Sequence, residues 1–443
     1  MMRRCGVLIA LAVLTGCTLG TGLGGPTTVL SSGTTEWAVV VYMSADNDLE
    51  SQAIEDLNEM EAAGLAGSGV TVIALVDRGP GYDSSNGDWT GTRAYQITDD
   101  PDGVDGTVVS IPLAVPELGI DPAGSDAELN MGDPAVLSSL LSFVEAAYQP
   151  EHTALVIWGH GSGYRSRSIA KEEREHQFTR VTSFDDSSGG DALFTAELAA
   201  AVAGAEIDLI GFDTCFGANV ETAYELRERA GIMVASQDLI PADGWEYHDM
   251  LARFVASDRT PAALAHAMVE SFSTVAAGYA SGTIAAIDLS QMTAVYDALN
   301  AFSTAVHDGI TNDSERTAVR DALFYDVEDF YATPGDLGID LRDLAAVVSA
   351  DFDLADAQAA ALDAAVASAV SEQWTATANP KASGLSVHLI PLESDGTAAV
   401  THDTGYFRGS SAAHPLSFVS GSDWVPALPD GPGLLHRLFY EVM

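Results

Sequence analysis

The chain has 443 residues, 47% of them hydrophobic, and a formal net charge of −45 from 64 acidic against 19 basic side chains. Such a surface repels phosphate backbones and anionic lipid, which excludes nucleic-acid binding and direct adsorption to a membrane. The apolar fraction supports a sizeable core, which excludes a disordered acidic chain, and most of the charge reads as a solvated surface rather than as a field for basic peptides.

Arg3 and Arg4 precede an apolar run, Gly6 to Leu14, that is too short to stay in a bilayer and reads as the core of a signal peptide. It ends in Leu14-Thr15-Gly16-Cys17, which resembles a bacterial lipobox. That reading predicts cleavage before Cys17, acylation of its thiol and a lipid anchor in the cell envelope; an ordinary signal peptide is the alternative. Residues 18–35, rich in Gly, Ser and Thr, read as a flexible tether. The cysteines are Cys5, Cys17 and Cys215, so the expected mature chain keeps one free thiol and forms no internal disulfide.

Next come short β-branched runs, apolar on both sides: Trp37 to Met43, Val70 to Val76, Ala154 to Trp158, Ile207 to Phe212 and Ile232 to Ala235. They predict buried strands of a largely parallel sheet. Amphipathic stretches alternate with them at Leu49 to Ala63, Pro134 to Tyr148, Ala192 to Ala203 and Ala218 to Ala230, which predicts an α/β fold with helices on both faces. Beyond residue 290 the pattern changes: Leu344 to Val370 is helical in period and Leu385 to Ile390 reads as one more strand. The expected division is a main domain at 36–290 and a smaller, mainly helical C-terminal subdomain at 291–443.

Two strand ends carry candidate chemistry. Ala154 to Trp158 runs into Gly159-His160-Gly161-Ser162-Gly163, which sets an imidazole among residues that permit tight turns; a packed His in such a turn is equally consistent. Ile207 to Phe212 runs into Asp213-Thr214-Cys215-Phe216-Gly217, where Cys215 is expected to meet a helix N-terminus that favours thiolate. An adjacent imidazole would activate the thiol, and the N–H groups of Cys215 and Gly161 would form an oxyanion hole.

These pieces, together with Trp37 to Glu50 (WAVVVYMSADNDLE), Ala235-Ser-Gln-Asp-Leu-Ile-Pro241 with Gly244-Trp245, and the late segment Gly384 to Pro391, resemble the clostripain family of cysteine peptidases. The resemblance implies a caspase-like α/β/α sandwich and a dyad of His160 as base and Cys215 as nucleophile. It also implies cleavage after Arg or Lys, with Asp213 holding the basic side chain; Asp213 could instead cap the following helix. Asp243 is a second candidate acid for that pocket and Asp238 a weaker one. Basic residues otherwise scarce gather at Arg165, Arg167, Lys171, Arg174 and Arg180; this reads as a solvated loop or, as the resemblance implies, a self-cleavage loop cut at Lys171 or Arg174. Calcium is implied as well, with Asp46, Asn47 and Asp48, or Asp185 and Asp186, as oxygen ligands, although none has EF-hand spacing and 46–48 could equally cap a helix. No His/Cys cluster at zinc spacing occurs. Peptides or proteins are the expected partners; a peptidase of other specificity, a catalytically silent surface lipoprotein and a transpeptidase using the same dyad are the alternatives.

Overall fold

A computed structural model describes residues 34–122, 127–161, 181–331, 337–389, 416–424 and 433–439. In chain order, β1 (Trp37–Ala45), α1 (Glu50–Glu61) and β2 (Val70–Arg78) lead to β3 (Gly91–Gln96), β4 (Ile111–Leu113), α2 (Pro134–Tyr148) and β5 (His152–Trp158). A hairpin, β6 (Val181–Asp185) and β7 (Asp191–Phe194), precedes α3 (Thr195–Ala201), β8 (Ile207–Asp213), α4 (Val220–Leu226) and β9 (Ala230–Ala235). There follow α5 (Tyr247–Ala256), α6 (Pro261–Ala276), β10 (Thr283–Asp288), α7 (Met292–Gly309) and α8 (Asp313–Tyr325). The last elements are β11 (Asp329–Tyr331), β12 (Leu337–Asp340), α9 (Leu341–Phe352), α10 (Asp356–Ala369), β13 (Val370–Thr375) and β14 (Ser386–Leu389), then two short helices at Ser417–Ser420 and Leu434–Phe439.

Nine strands form one sheet in the order β13-β10-β9-β8-β5-β1-β2-β3-β4. The five central strands, β9 to β2 in that order, are parallel to one another, and the flanking strands join them antiparallel. These five are the strands expected from sequence. Alternation explains their composition: Ala38, Val40 and Tyr42 enter the core under α2, α3, α4, α7, α9 and α10, while Trp37, Val39, Val41 and Met43 enter the core under α1, α5 and α6. A strand covered by helices on both faces has no polar side to show, so it reads as one apolar run.

Two helices are shorter than expected. Asp191–Phe194 pairs with β6 as a strand before α3 begins, and α4 starts at Val220 with Asn219 as its cap, accepting from the Thr222 N–H at 2.8 Å. The stretch from Leu344 to Val370 is two helices, parted at Asp353 and Ala355, which both take positive φ. Thr35, expected in the tether, is already held by hydrogen bonds to Gly69 O and Thr71. Residues beyond 290 are continuous with the same layers: β13 pairs with β10 at the sheet edge, and α7, α9 and α10 bury their apolar faces in the core that also holds β1 and β5. Among the described residues no helix is long and apolar enough to cross a membrane.

Candidate active site

The site is placed by backbone pairing. In the parallel β5–β8 ladder Trp158 lies opposite Asp213. His160 and Cys215 each follow two residues later, so they leave adjacent strands at matching depth, where strands lie about 4.8 Å apart. The ladder continues past the strands, because the Gly159 N–H donates to Asp213 O at 3.3 Å. Gly161 then lies directly against the Cys215 backbone. A Cβ on Gly161 would fall on the Cys215 carbonyl oxygen and 2.9 Å from its nitrogen, so only glycine permits this approach. Gly161 also bridges to Thr182 on β6.

His160 is largely buried, and its Nε2 lies 2.8 Å from Asp48 Oδ1. Asp48 therefore acts on the imidazole, a role its sequence context of adjacent acids did not distinguish from capping or ion binding. Asn47 supplies the turn into α1 instead, accepting from the Leu49 N–H at 3.0 Å and donating to Ser44 O at 2.9 Å. Burial lowers the His160 pKa below its ordinary 6.5, opposed by Asp48 and Asp186.

Cys215 sits in a turn four residues before Asn219, the cap of α4, rather than at the helix end expected from sequence. The first turn of α4 begins only at Val220, so the thiol does not sit at its N-terminus. Burial instead pushes the thiol up to about 11, offset in part by the Ile240 N–H, which donates to Sγ at 3.4 Å, and reinforced by Asp213 and Asp238. Thiol and imidazole are thus both neutral near pH 7.

Asp213 does not cap a helix. Its Oδ2 accepts from the Trp245 N–H at 3.2 Å and the Tyr247 hydroxyl at 3.0 Å, while its buried Oδ1 has no partner among the described residues. Gly244, at φ +62, packs against the same carboxyl. Burial pushes Asp213 up to about 7. Two acids that the sequence reading missed lie behind it on α1. Asp56, 2% exposed, accepts from Trp158 Nε1 at 2.6 Å and is raised by burial and then by Asp213. Glu59 accepts from the Tyr247 N–H at 2.8 Å and is pushed by burial to about 7. A signal for Asp56 existed, since it shares the helix face of Ala53, Leu57 and Met60, three or four residues from Ala53 and Met60.

The other candidates are dispersed. Asp243 is exposed and accepts from the Tyr279 hydroxyl at 2.8 Å. Asp238 is buried and is bound by the Leu239 N–H and by Asn379. Asp46 and Asp185 converge with Asp77 and Glu128, whereas Asp186 accepts from Tyr82 and Asp48 turns to His160. Cys17, Lys171 and Arg174 lie outside the described residues.

A mixed sheet with a parallel centre, helices on both faces, and a thiol and an imidazole at adjoining strand ends define a caspase-like α/β/α sandwich. Residues 41–376 match the sequence model of the clostripain family, and the chain belongs to that family. Clostripain of Hathewaya histolytica is 29% identical over 238 residues, a match that spans 50% of this chain and 43% of that relative, less than half its length. Two solved structures share the fold. An inactive zymogen C11 protease from Parabacteroides distasonis is 19% identical with a TM-score of 0.58, over 80% of this chain and 92% of its own. A secreted C11 cysteine protease from Bacteroides thetaiotaomicron, solved with an irreversible peptide inhibitor, is 17% identical with a TM-score of 0.60, over 88% and 99%.

Proposed function

We propose that this chain is an exported cysteine endopeptidase that cleaves after Arg, or Lys, using Cys215 and His160. The observation that carries the reading is the stacking of one register: thiol and imidazole at matching depth, with the half-partnered Asp213 carboxyl two residues beneath the thiol. With both groups neutral, His160 takes the Sγ proton as sulfur attacks the scissile carbonyl. The oxyanion is received by the N–H groups of Cys215 and Gly161. His160 next protonates the leaving amine, and water hydrolyses the thioester. Asp48 orients His160. Asp213 receives a guanidinium by parallel hydrogen bonds, with Asp56 and Glu59 adding negative potential behind it; Asp243, on the exposed loop before Gly244, is the outer acid of the same pocket.

Further parts of the proposal rest on sequence and family. Cleavage of the chain by itself at Lys171 or Arg174 turns a latent enzyme into an active one. Cys17 carries the lipid that holds the exported chain at the cell envelope. The chemistry itself needs no cofactor; calcium has a structural part. The test is hydrolysis of matched peptide substrates ending in Arg, Lys, Asp, Asn or Leu, alongside Cys215→Ala. Turnover of Arg or Lys substrates that vanishes in the variant supports the proposal. Turnover of another residue removes Asp213 as selector, ligated rather than hydrolysed product indicates a transpeptidase, and no turnover of any, even after deliberate nicking near Lys171, indicates a silent lipoprotein.

A further inference from the structure

The loop that follows β9, residues 236–244, runs past the thiol to the floor of the acidic pocket. The Ile240 N–H donates to Cys215 Sγ, while Gly244 and the Trp245 N–H lie against the Asp213 carboxyl. Asp243 stands one residue outward from that floor, on a tight turn closed by the Gly244 N–H on Pro241 O at 2.9 Å. Its carboxyl is exposed, and among the described residues one hydrogen bond engages it: the Tyr279 hydroxyl donates to Oδ2 at 2.8 Å.

Tyr279 belongs to the turn between α6 and β10, 36 positions along the chain from Asp243. The same turn grips the other end of the loop. Thr283, the first residue of β10, accepts the Gln237 N–H on its hydroxyl at 2.8 Å. The Gly282 N–H donates to Asn379 Oδ1 at 3.0 Å, and Asn379 Nδ2 donates to Asp238 Oδ2 at 3.3 Å. Those bonds are buried and hold the fold. The bond from Tyr279 differs, because Asp243 is exposed and Tyr279 is 44% exposed. A hydrogen bond in water contributes little to folding, since water offers both groups equivalent partners. What it fixes is the direction of the carboxylate. An unheld Asp samples several rotamers. With Oδ2 held, Oδ1 is left for an incoming donor, and a group already oriented loses less freedom on binding. Asp243 in turn holds the Tyr279 pKa above its ordinary 10, so the hydroxyl stays a donor at neutral and mildly alkaline pH.

We propose that Tyr279 is a positioning residue for specificity: its hydroxyl fixes the Asp243 carboxylate at the mouth of the pocket, where Oδ1 receives the cationic end of the residue before the scissile bond. This role rests on the cleavage after Arg or Lys proposed above. Asp213 meets the cation from the floor, and Asp243, oriented by Tyr279, meets it from the side. Acting through Asp243, Tyr279 contributes to binding and leaves the chemical step to Cys215 and His160.

The test is steady-state kinetics on matched Arg, Lys and Leu peptides with Tyr279→Phe, Asp243→Asn and the double variant. Calorimetric binding of the Arg peptide to the same set in a Cys215→Ala background serves as a second measurement. Tyr279→Phe keeps the ring and loses only the hydroxyl. It should raise KM for basic peptides about three- to tenfold with kcat unchanged, and weaken the Arg peptide's binding by the same factor. Adding it to Asp243→Asn should change neither further, because the carboxylate it positions is gone. Its urea midpoint should equal the parent's. An unchanged KM in Tyr279→Phe, with the parent cleaving basic peptides, would overturn the role of Tyr279 and leave the cleavage reading intact. Equal losses with and without the Asp243 carboxylate would also overturn it, as would a lowered urea midpoint, which marks a purely structural bond. A parent that neither cleaves nor binds basic peptides removes the cleavage reading itself, and this positioning with it.

Discussion

Replacing Asp213 by Asn separates the cost of this carboxylate from its use. The side chain is fully buried, accepts two hydrogen bonds on one oxygen and has none on the other. Its pKa stands at about 7 against an ordinary 3.8, so the folded protein holds a proton that the unfolded chain releases between those values. Stability therefore falls as pH rises through that window. Above about pH 7 the ionised group costs on the order of 4 kcal/mol, at about 1.4 kcal/mol per tenfold. Asn keeps an oxygen for Trp245 and Tyr247 but buries an N–H pair, which returns about 1–2 kcal/mol of that gain. The variant should be about 2–3 kcal/mol more stable than the parent in urea at pH 8.5, with the difference shrinking toward pH 4. Removing one side of a buried charged pair with substrate costs about 2 kcal/mol or more, so kcat/KM on Arg peptides should fall about 30-fold or further. A variant less stable at pH 8.5, or one that cleaves Arg peptides as well as the parent, would refute the reasoning.

Three other outcomes follow from the geometry. Since burial lowers His160, the acidic limb of kcat should lie below pH 6.5; kcat/KM for Arg peptides should in addition fall below about pH 7 as Asp213 takes its proton, and this second limb should be missing in Asp213→Asn. Gly161→Ala drives a Cβ onto the Cys215 backbone and should lower kcat by about 100-fold or more; a near-parental kcat would remove Gly161 from the oxyanion site. Arg78 and Glu50, both fully buried and 2.6 Å apart, make a charge pair whose half-removal leaves a stranded acid, so Arg78→Met should destabilise by about 3–5 kcal/mol in chemical denaturation and adding Glu50→Gln should restore part of the loss.

The central sheet was legible because each of its five parallel strands is covered on both faces and so is apolar throughout. Its flanks were not. β13, Val-Ser-Glu-Gln-Trp-Thr, is a half-exposed edge strand with polar residues, and β7, Asp-Ala-Leu-Phe, has a helix-forming composition overruled by its pairing with β6. The strand ends that carry His160 and Cys215 were legible as two motifs. The state of the thiol was not, because the helix after Cys215 begins only at Val220 and the thiol is set by burial. Asp48 looked like a cap or a metal ligand until the fold brought His160, 112 residues away, to it. Asp56 and Glu59 are acids on a helix otherwise read for its apolar face, and their partners, the Trp158 Nε1 and the Tyr247 N–H, lie 102 and 188 residues away.

The register that places His160 beside Cys215 is written in main-chain hydrogen bonds between β5 and β8, and any residue but proline can supply those. Side chains along the two strands need only stay apolar and fill their layers. The positional information of the site is thus held largely apart from residue identity, in a ladder that substitutions pass through without shifting. A lineage built this way can replace most of its letters, as the 17% identity to a secreted relative of the same fold illustrates, while the few residues that cannot drift are those where backbone meets backbone, such as Gly161.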